Sequence, residues 1–256
     1  MKLRATSSSQ QLIFPVIAGL LLLSGIACAQ APAGSQAYIK VKNGQPQQGV
    51  IQSVTTAGVS LQLAAGGAVT LPLANIESVQ MPPPPEYGLA MQAVAQKDIP
   101  KALGLITGVA SKYKRLPTDW AQQATALTGY LALQTGELVK AEVAFDDFKK
   151  CYPTSSDGDV GSAAIAAAKK NFAVAREKIA PIIEEALKVK DVPIPLRYAY
   201  SRAFYVSGQV KEADGNSSGA LEDYLRTVTI FYHDSAAVAA AQERADALRK
   251  TKVTVP

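Results

Sequence analysis

The chain has 256 residues, 26 Lys and Arg against 21 Asp and Glu, a formal charge of +5, two cysteines and one histidine. An excess this mild, dispersed along the chain, does not make a nucleic-acid-binding surface, and so few cysteines exclude a metal-binding cysteine cluster. Abundant alanine and 7% aromatic residues suit closely packed helices, in a chain long enough for one or two domains.

The N-terminus reads as a signal peptide over residues 1–29. Lys2 and Arg4 precede an apolar run over residues 12–27, interrupted by Pro15 and Gly25, and Ala27-Cys28-Ala29 supplies small residues for cleavage before Gln30. The run is too short for a permanent span, so no integral membrane span is expected after its removal. Cys28 leaves a second reading open, an acylated lipoprotein, although Gly25 stands where such sites usually carry Leu. Only Cys151 survives processing, so no intramolecular disulfide is expected in an oxidising compartment.

Residues 37–80 change character. AYIKV, GVIQSV, VSLQL, AVTLP and NIESV are short β-branched segments; Val59, Leu61 and Leu63 alternate with Ser60 and Gln62, and Asn43-Gly44, Ala57-Gly58 and Gly66-Gly67 mark reversals. Five such strands close most economically as a small barrel. The PLANI segment resembles the short helical turn before the last strand of SH3-like barrels, and that resemblance implies a second contact surface. Residues 81–86 contain four consecutive prolines, Pro82 to Pro85, which favour an extended, stiff linker and mark a domain boundary.

From Glu86 to about residue 250 nearly every stretch reads as helix, with turns near Pro117, Pro153 and Pro193-Ile194-Pro195. Gly129, Gly136, Ala141, Phe145 and Pro153 fall seven, five, four and eight residues apart, which is the spacing of the tetratricopeptide repeat. The stretch GYLALQTGELVKAEVAFDDFKKCYPTSS resembles the repeats of bacterial cell-envelope tetratricopeptide proteins, of the Tol-Pal-associated or outer-membrane-assembly type. Phe148 stands where the general consensus prefers alanine. Ala90 and Ala102 echo the Gly129 and Ala141 spacing and predict a first repeat over residues 86–116. Ala220 and Tyr224 echo Ala141 and Phe145 in a last one, where residues 211–218 are expected to lengthen the turn. Residues 159–190 read as two more amphipathic helices. The fold expected is mainly α: three to four helical hairpins in a tetratricopeptide-like solenoid over residues 86–250, a capping helix at about residues 235–250, and a small five-stranded β-barrel in front.

No convergent chemistry emerges, and no catalytic, cofactor or metal residue is assigned. His233-Asp234 lie adjacent in a turn, where neighbouring side chains rarely converge on a nucleophile. Asp146-Asp147 and Glu184-Glu185 are successive helix residues, about 100° apart around the axis, and read as solvated surface. Lys112, Lys114 and Arg115 sit at a helix end, where cations suit the dipole; a contact with phosphate, a lipid headgroup or an acidic partner is the other reading. Tyr198, Tyr200, Phe204 and Tyr205 crowd one helix. They cannot all share one face, so one or two of the tyrosines become candidates for a concave partner-binding surface. The sequence therefore predicts a non-enzymatic periplasmic scaffold whose partners are envelope proteins, with self-association left open. A lipid-anchored structural component is the runner-up, and an unrecognised hydrolase comes third.

Overall fold

The strand segments form an antiparallel sheet in the computed structural model, which describes residues 36–255. The expected leader over residues 1–29, its cleavage site and Cys28 lie outside the described residues. Strands β1 (Gln36–Val41), β2 (Gln47–Val54), β3 (Val59–Leu63), β4 (Ala68–Leu71) and β5 (Ile76–Gln80) lie in the order β4-β3-β2-β1-β5. Successive strands up to β4 pair as hairpins, and β5 returns to pair with β1, Ile39 opposite Val79. Period-two burial puts Ala37, Ile39, Val59 and Leu61 inside. A 3-10 turn, Leu73–Asn75, occupies the PLANI segment immediately before β5.

The prolines lead straight into helix α1 (Pro85–Ala95). Pro84 caps it in an extended conformation and Pro85 is already helical. A proline is tolerated there because its missing N–H would have no intrahelical partner at the first position. The sheet's apolar face is continuous with helical packing, since Ile39, Ile51 and Leu61 share one buried cluster with Met81, Ala90, Ile106 and Leu127. The Trp120 indole Nε1 donates to the Met81 carbonyl at 3.0 Å, fixing the end of the sheet to the helices.

The rest is helical: α2 (Ile99–Tyr113), α3 (Asp119–Gln134), α4 (Leu138–Cys151), α5 (Asp157–Ala168), α6 (Phe172–Lys188), α7 (Arg197–Ala213), α8 (Ser217–Thr229) and α9 (Ser235–Lys250). Four helix pairs share one register. A small buried residue opens the pattern at Ala90, Gly129, Ala163 and Gly208. Seven residues later the backbone turns left-handed, at Lys97 (φ 59), Gly136 (φ 76), Lys170 (φ 61) and Gly215 (φ 79). The next residue, Asp98, Glu137, Asn171 or Asn216, is the N-cap of the second helix; in Asp98, Asn171 and Asn216 the side chain accepts from the backbone of the first turn. Ala102, Ala141, Ala175 and Ala220 follow, all 0% exposed, and then a large buried side chain: Ile106, Phe145, Ile179 and Tyr224.

The close approach is measurable at two of these positions. A Cβ on Gly129 would lie 2.6 Å from the Phe145 ring, and one on Gly208 would lie 2.4 Å from the Tyr224 ring. Residues 211–218 do not lengthen the last turn. Nothing breaks the helix before Asp214-Gly215, so α7 continues to Ala213 and leaves the same three-residue turn as the other pairs. Helices two apart also touch: α3 meets α5, α5 meets α7 and α7 meets α9. The last helix, α9, returns to touch α1, and Ala236 joins the cluster around Ala90 and Ile106.

Candidate functional site

Where α3, α5, α7 and α9 converge, they meet around one guanidinium. Arg202 of α7 is 3% exposed. Its Nη1 donates to Asp157 Oδ1 of α5 at 3.4 Å, and its Nε pairs with Asp234 Oδ2. Asp234 is also the N-cap of α9, accepting from the amides of Ala236 at 2.9 Å and Ala237 at 3.0 Å. The guanidinium lies 3.9 Å from the ring centroid of Tyr130 on α3, in cation–π geometry. Burial alone would lower the pKa of Arg202, but Asp234, Tyr130 and Asp157 outweigh it and raise it. Burial pushes the Asp157 carboxyl up despite Arg202, and pushes the Tyr130 hydroxyl up as well. Arg202 Nη2 and the Tyr130 hydroxyl have no hydrogen-bond partner among the described residues.

A second buried carboxylate shows what full satisfaction looks like. Asp223 of α8, 1% exposed, accepts from Ser207 at 2.6 Å and pairs with Lys211 at 2.7 Å and Arg226 at 3.1 Å. The Arg202 cluster, by contrast, keeps spare hydrogen-bonding capacity beside open space. Tyr130, Arg202 and Asp234 line a cavity of about 680 Å³ between α3, α5, α7 and α9. Its walls are largely apolar, with Leu133, Ala164, Ala167, Val206 and Ala240 among them. Lys170 and Arg244 also line it; Arg244 is engaged by Glu212, which in turn accepts from the Tyr224 hydroxyl at 2.9 Å. Toward α1 the Tyr87 hydroxyl donates to the buried Gln123, and Tyr198 lies beside it.

The residues singled out from the sequence are dispersed. The three candidate tyrosines of α7 point to different places. Tyr205 lines the cavity, its ring 5.9 Å from that of Tyr224. Tyr198 is half-buried beside Gln123. Tyr200 is 0% exposed, packed edge-on against Phe231, and burial pushes its hydroxyl up to about 12, so it is a core residue rather than a partner contact. The basic run lies away from the cavity at the end of α2. The Lys112 ammonium sits over its neighbour Tyr113, Lys114 pairs with Asp147 at 3.0 Å, and the Arg115 amide donates to the Tyr152 hydroxyl at 3.1 Å. Lys114 and Asp147 flank a separate groove between α2 and α4, edged by the exposed Val139 and Val143. His233 stacks on Tyr232; burial, then Arg197, lowers its pKa, while Asp234 is directed to Arg202 and the α9 amides.

Among the packing positions, Phe145 and Phe148 are buried and Pro153 is exposed in the turn after α4. Cys151 is a half-buried free thiol whose pKa is raised by burial, which works against reactivity. Sequence reading missed Arg202, Asp157, Lys170 and Gly208. The one available signal for Gly208 was its twelve-residue distance from Ala220, and for Arg202 an arginine set between Tyr200 and Phe204.

Among the described residues no group of three or more His, Cys, Asp or Glu could hold a metal ion, and no helix is long and apolar enough to cross a membrane. The sequence matches no protein-family profile and no curated protein.

Proposed function

We propose that the protein is a non-enzymatic binding scaffold of the cell envelope: a tetratricopeptide-like solenoid of helical hairpins that receives a protein partner at the open part of its concave face. The observation that carries this reading is the shared register of four hairpins. Small residue, left-handed turn, N-cap, alanine and large side chain recur at the same intervals from Ala90 to Tyr224. Such a register fixes which helices line the inner face, and repeat arrays hold side chains there at set spacing for recognition. The cavity between α3, α5, α7 and α9 supplies the concave surface, with Tyr205 as its aromatic contact. The strand order β4-β3-β2-β1-β5 and the 3-10 turn before β5 support closure of the sheet as an SH3-like barrel, a second surface for partners. Export to the periplasm follows from the N-terminal leader signature. In the runner-up reading Cys28 carries an acyl anchor, and the intact mass of the mature protein separates a chain starting at Gln30 from one starting at acylated Cys28.

The scaffold is tested by affinity capture from the native envelope with the parent and with Ala240→Trp, which fills the cavity. A specific protein recovered with the parent and lost with the variant is the expected result. Equal recovery from both would move the partner surface elsewhere, and activity-based labelling of the pure protein would revive the hydrolase.

A further inference from the structure

The groove between α2 and α4 lies on the other side of α3 from the cavity. Thr125, Thr128, Ala132 and Thr135 floor it, and at about 100° per residue they fall on the helix face opposite Tyr130 and Leu133, which line the cavity. On α2 the lining runs from Pro100 through Gly104, Thr107 and Ser111 to Lys114, a single stripe about four turns long. The groove is therefore about 20 Å in length, at 1.5 Å per residue, with a volume of about 840 Å³.

Its interior favours apolar contact. The hydroxyls of Thr125, Thr128 and Thr135 each donate to a carbonyl of α3 itself, so the floor leaves none of them in need of an outside partner. Val139 and Val143, one turn apart on the α4 rim, are 73% and 60% exposed. Small side chains on the floor let a helix backbone come close, and the rim valines cover its flank.

One end of the groove is charged, and the excess is positive. Lys114 pairs with Asp147 at 3.0 Å, Lys150 lies 3.9 Å from the same carboxylate, and Arg115 is close enough to help Lys114 and Lys150 hold that carboxyl below its usual range. Three cations thus share one carboxylate, while Asp146 projects about 100° away around α4. The α2 wall carries no acidic residue: between Asp98 and Asp119 the charged residues are Lys101, Lys112, Lys114 and Arg115. At the other end Glu137 and Lys140 neutralise each other. Both walls have their C-termini at the basic end, since Lys114 is the C-cap of α2 and Asp147 stands near the end of α4. A helix lying antiparallel to both brings the positive end of its dipole to their C-termini, and acidic residues in its first turn suit its own dipole and the three cations together.

We infer that the groove between α2 and α4 docks an amphipathic helix of a protein partner, its apolar face on α3 between Gly104 and the two valines and its acidic first turn at Lys114, Arg115 and Lys150. This surface is separate from the cavity of the proposed function and does not depend on it.

Fluorescence anisotropy with two labelled, lactam-bridged helical peptides tests it. Both match the groove in length and carry alanine and leucine along one face; one has Asp-Glu-Glu in its first turn, the other has the same acids in its last. The first is expected to saturate one site and to bind about tenfold more tightly, an advantage that shrinks with added salt because the charged contacts are partly exposed. Thr107→Trp, at an exposed position on the lining, should abolish binding. Arg115→Glu combined with Lys150→Glu should bring the two peptides level, and Ala240→Trp, in the cavity, should change nothing. Absence of saturable binding, or binding unchanged in a folded Thr107→Trp protein, would overturn the inference. Equal affinity of the parent for both peptides would overturn the acidic first turn. Anionic phospholipid vesicles that bind the parent but not Thr107→Trp, with neither peptide bound, would replace the helix by a membrane surface and overturn the inference as well.

Discussion

Inside the second and fourth hairpins, Gly129 and Gly208 let the aromatic rings of Phe145 and Tyr224 lie against a helix backbone. Where α3, α5, α7 and α9 meet, the contact is ionic: Arg202 bridges Asp157 and Asp234 and stacks on Tyr130. The two regions obey different physics. Apolar packing is graded, because each lost or added carbon changes the free energy by a modest step. A buried ion cluster is closer to all-or-none: its charges are poorly solvated, so removing one partner strands the others. The hairpins thus specify how each pair of helices closes, and the cluster specifies how alternate helices meet.

The comparison is broken most directly at Arg202. Arg202→Ala leaves Asp157 and Asp234 buried without their counter-charge and is expected to cost about 3–5 kcal/mol in urea unfolding. Arg202→Lys should recover only part of this, because an ammonium lacks the fork that reaches two carboxylates and the planar face that stacks on Tyr130. A loss under about 1 kcal/mol for Arg202→Ala would show that the cluster is not what joins these helices.

The graded side of the comparison predicts smaller losses. Ala141→Leu and Gly129→Ala overpack the same close crossing and should each cost about 1–3 kcal/mol, whereas Ala144→Leu, on a partly exposed stripe, should cost less. If Ala144→Leu proves the more damaging of the two leucine variants, the hairpin register is misplaced.

Asp157 sharpens the ionic side through pH. Its folded-state pKa is raised by burial above the unfolded value of about 3.9. The favourable contribution of its proton is therefore complete below that unfolded value and is lost as pH rises through the folded one. The parent should lose stability relative to Asp157→Asn as pH increases across this window, read as the difference between their urea midpoints. A difference that grows in favour of the parent with rising pH would mean that Arg202, not burial, dominates the carboxyl.

The smallest effect has the opposite sign. Gly104 is helical, and a Cβ there would meet nothing within 4 Å. Gly104→Ala should stabilise by roughly 0.5–1 kcal/mol, since it lowers the entropy of the unfolded chain without touching a neighbour. Thermal melts of Gly104→Ala and Gly129→Ala should therefore move in opposite directions.

Much of the architecture was legible from local pattern. Alternation gave the strands, and the Gly129, Gly136, Ala141 and Phe145 spacing located a close-packed hairpin because small and large residues must alternate where helices touch. The third hairpin was not recognisable in the same way. Ala163 and Ala175 hold the same register, but they lie among Ala164, Ala166, Ala167 and Ala168, so composition hides which alanine is at the crossing. The turn residue there is Lys170 rather than glycine, and sequence alone does not reveal a lysine held at positive φ.

The sequence by itself determined the order of elements, the turns of the first two hairpins and many of the buried faces, all of which depend on residues within one or two turns of each other. Only the tertiary structure decided the site. Asp157, Arg202 and Asp234 come from three separate parts of the chain, and Asp234, adjacent in sequence to His233, is engaged instead by Arg202 and the α9 amides. The contact of α9 with α1 was likewise decided by the tertiary structure alone. It joins the first and last helices of the helical region, and no local stretch of sequence encodes a contact between elements so far apart in the chain.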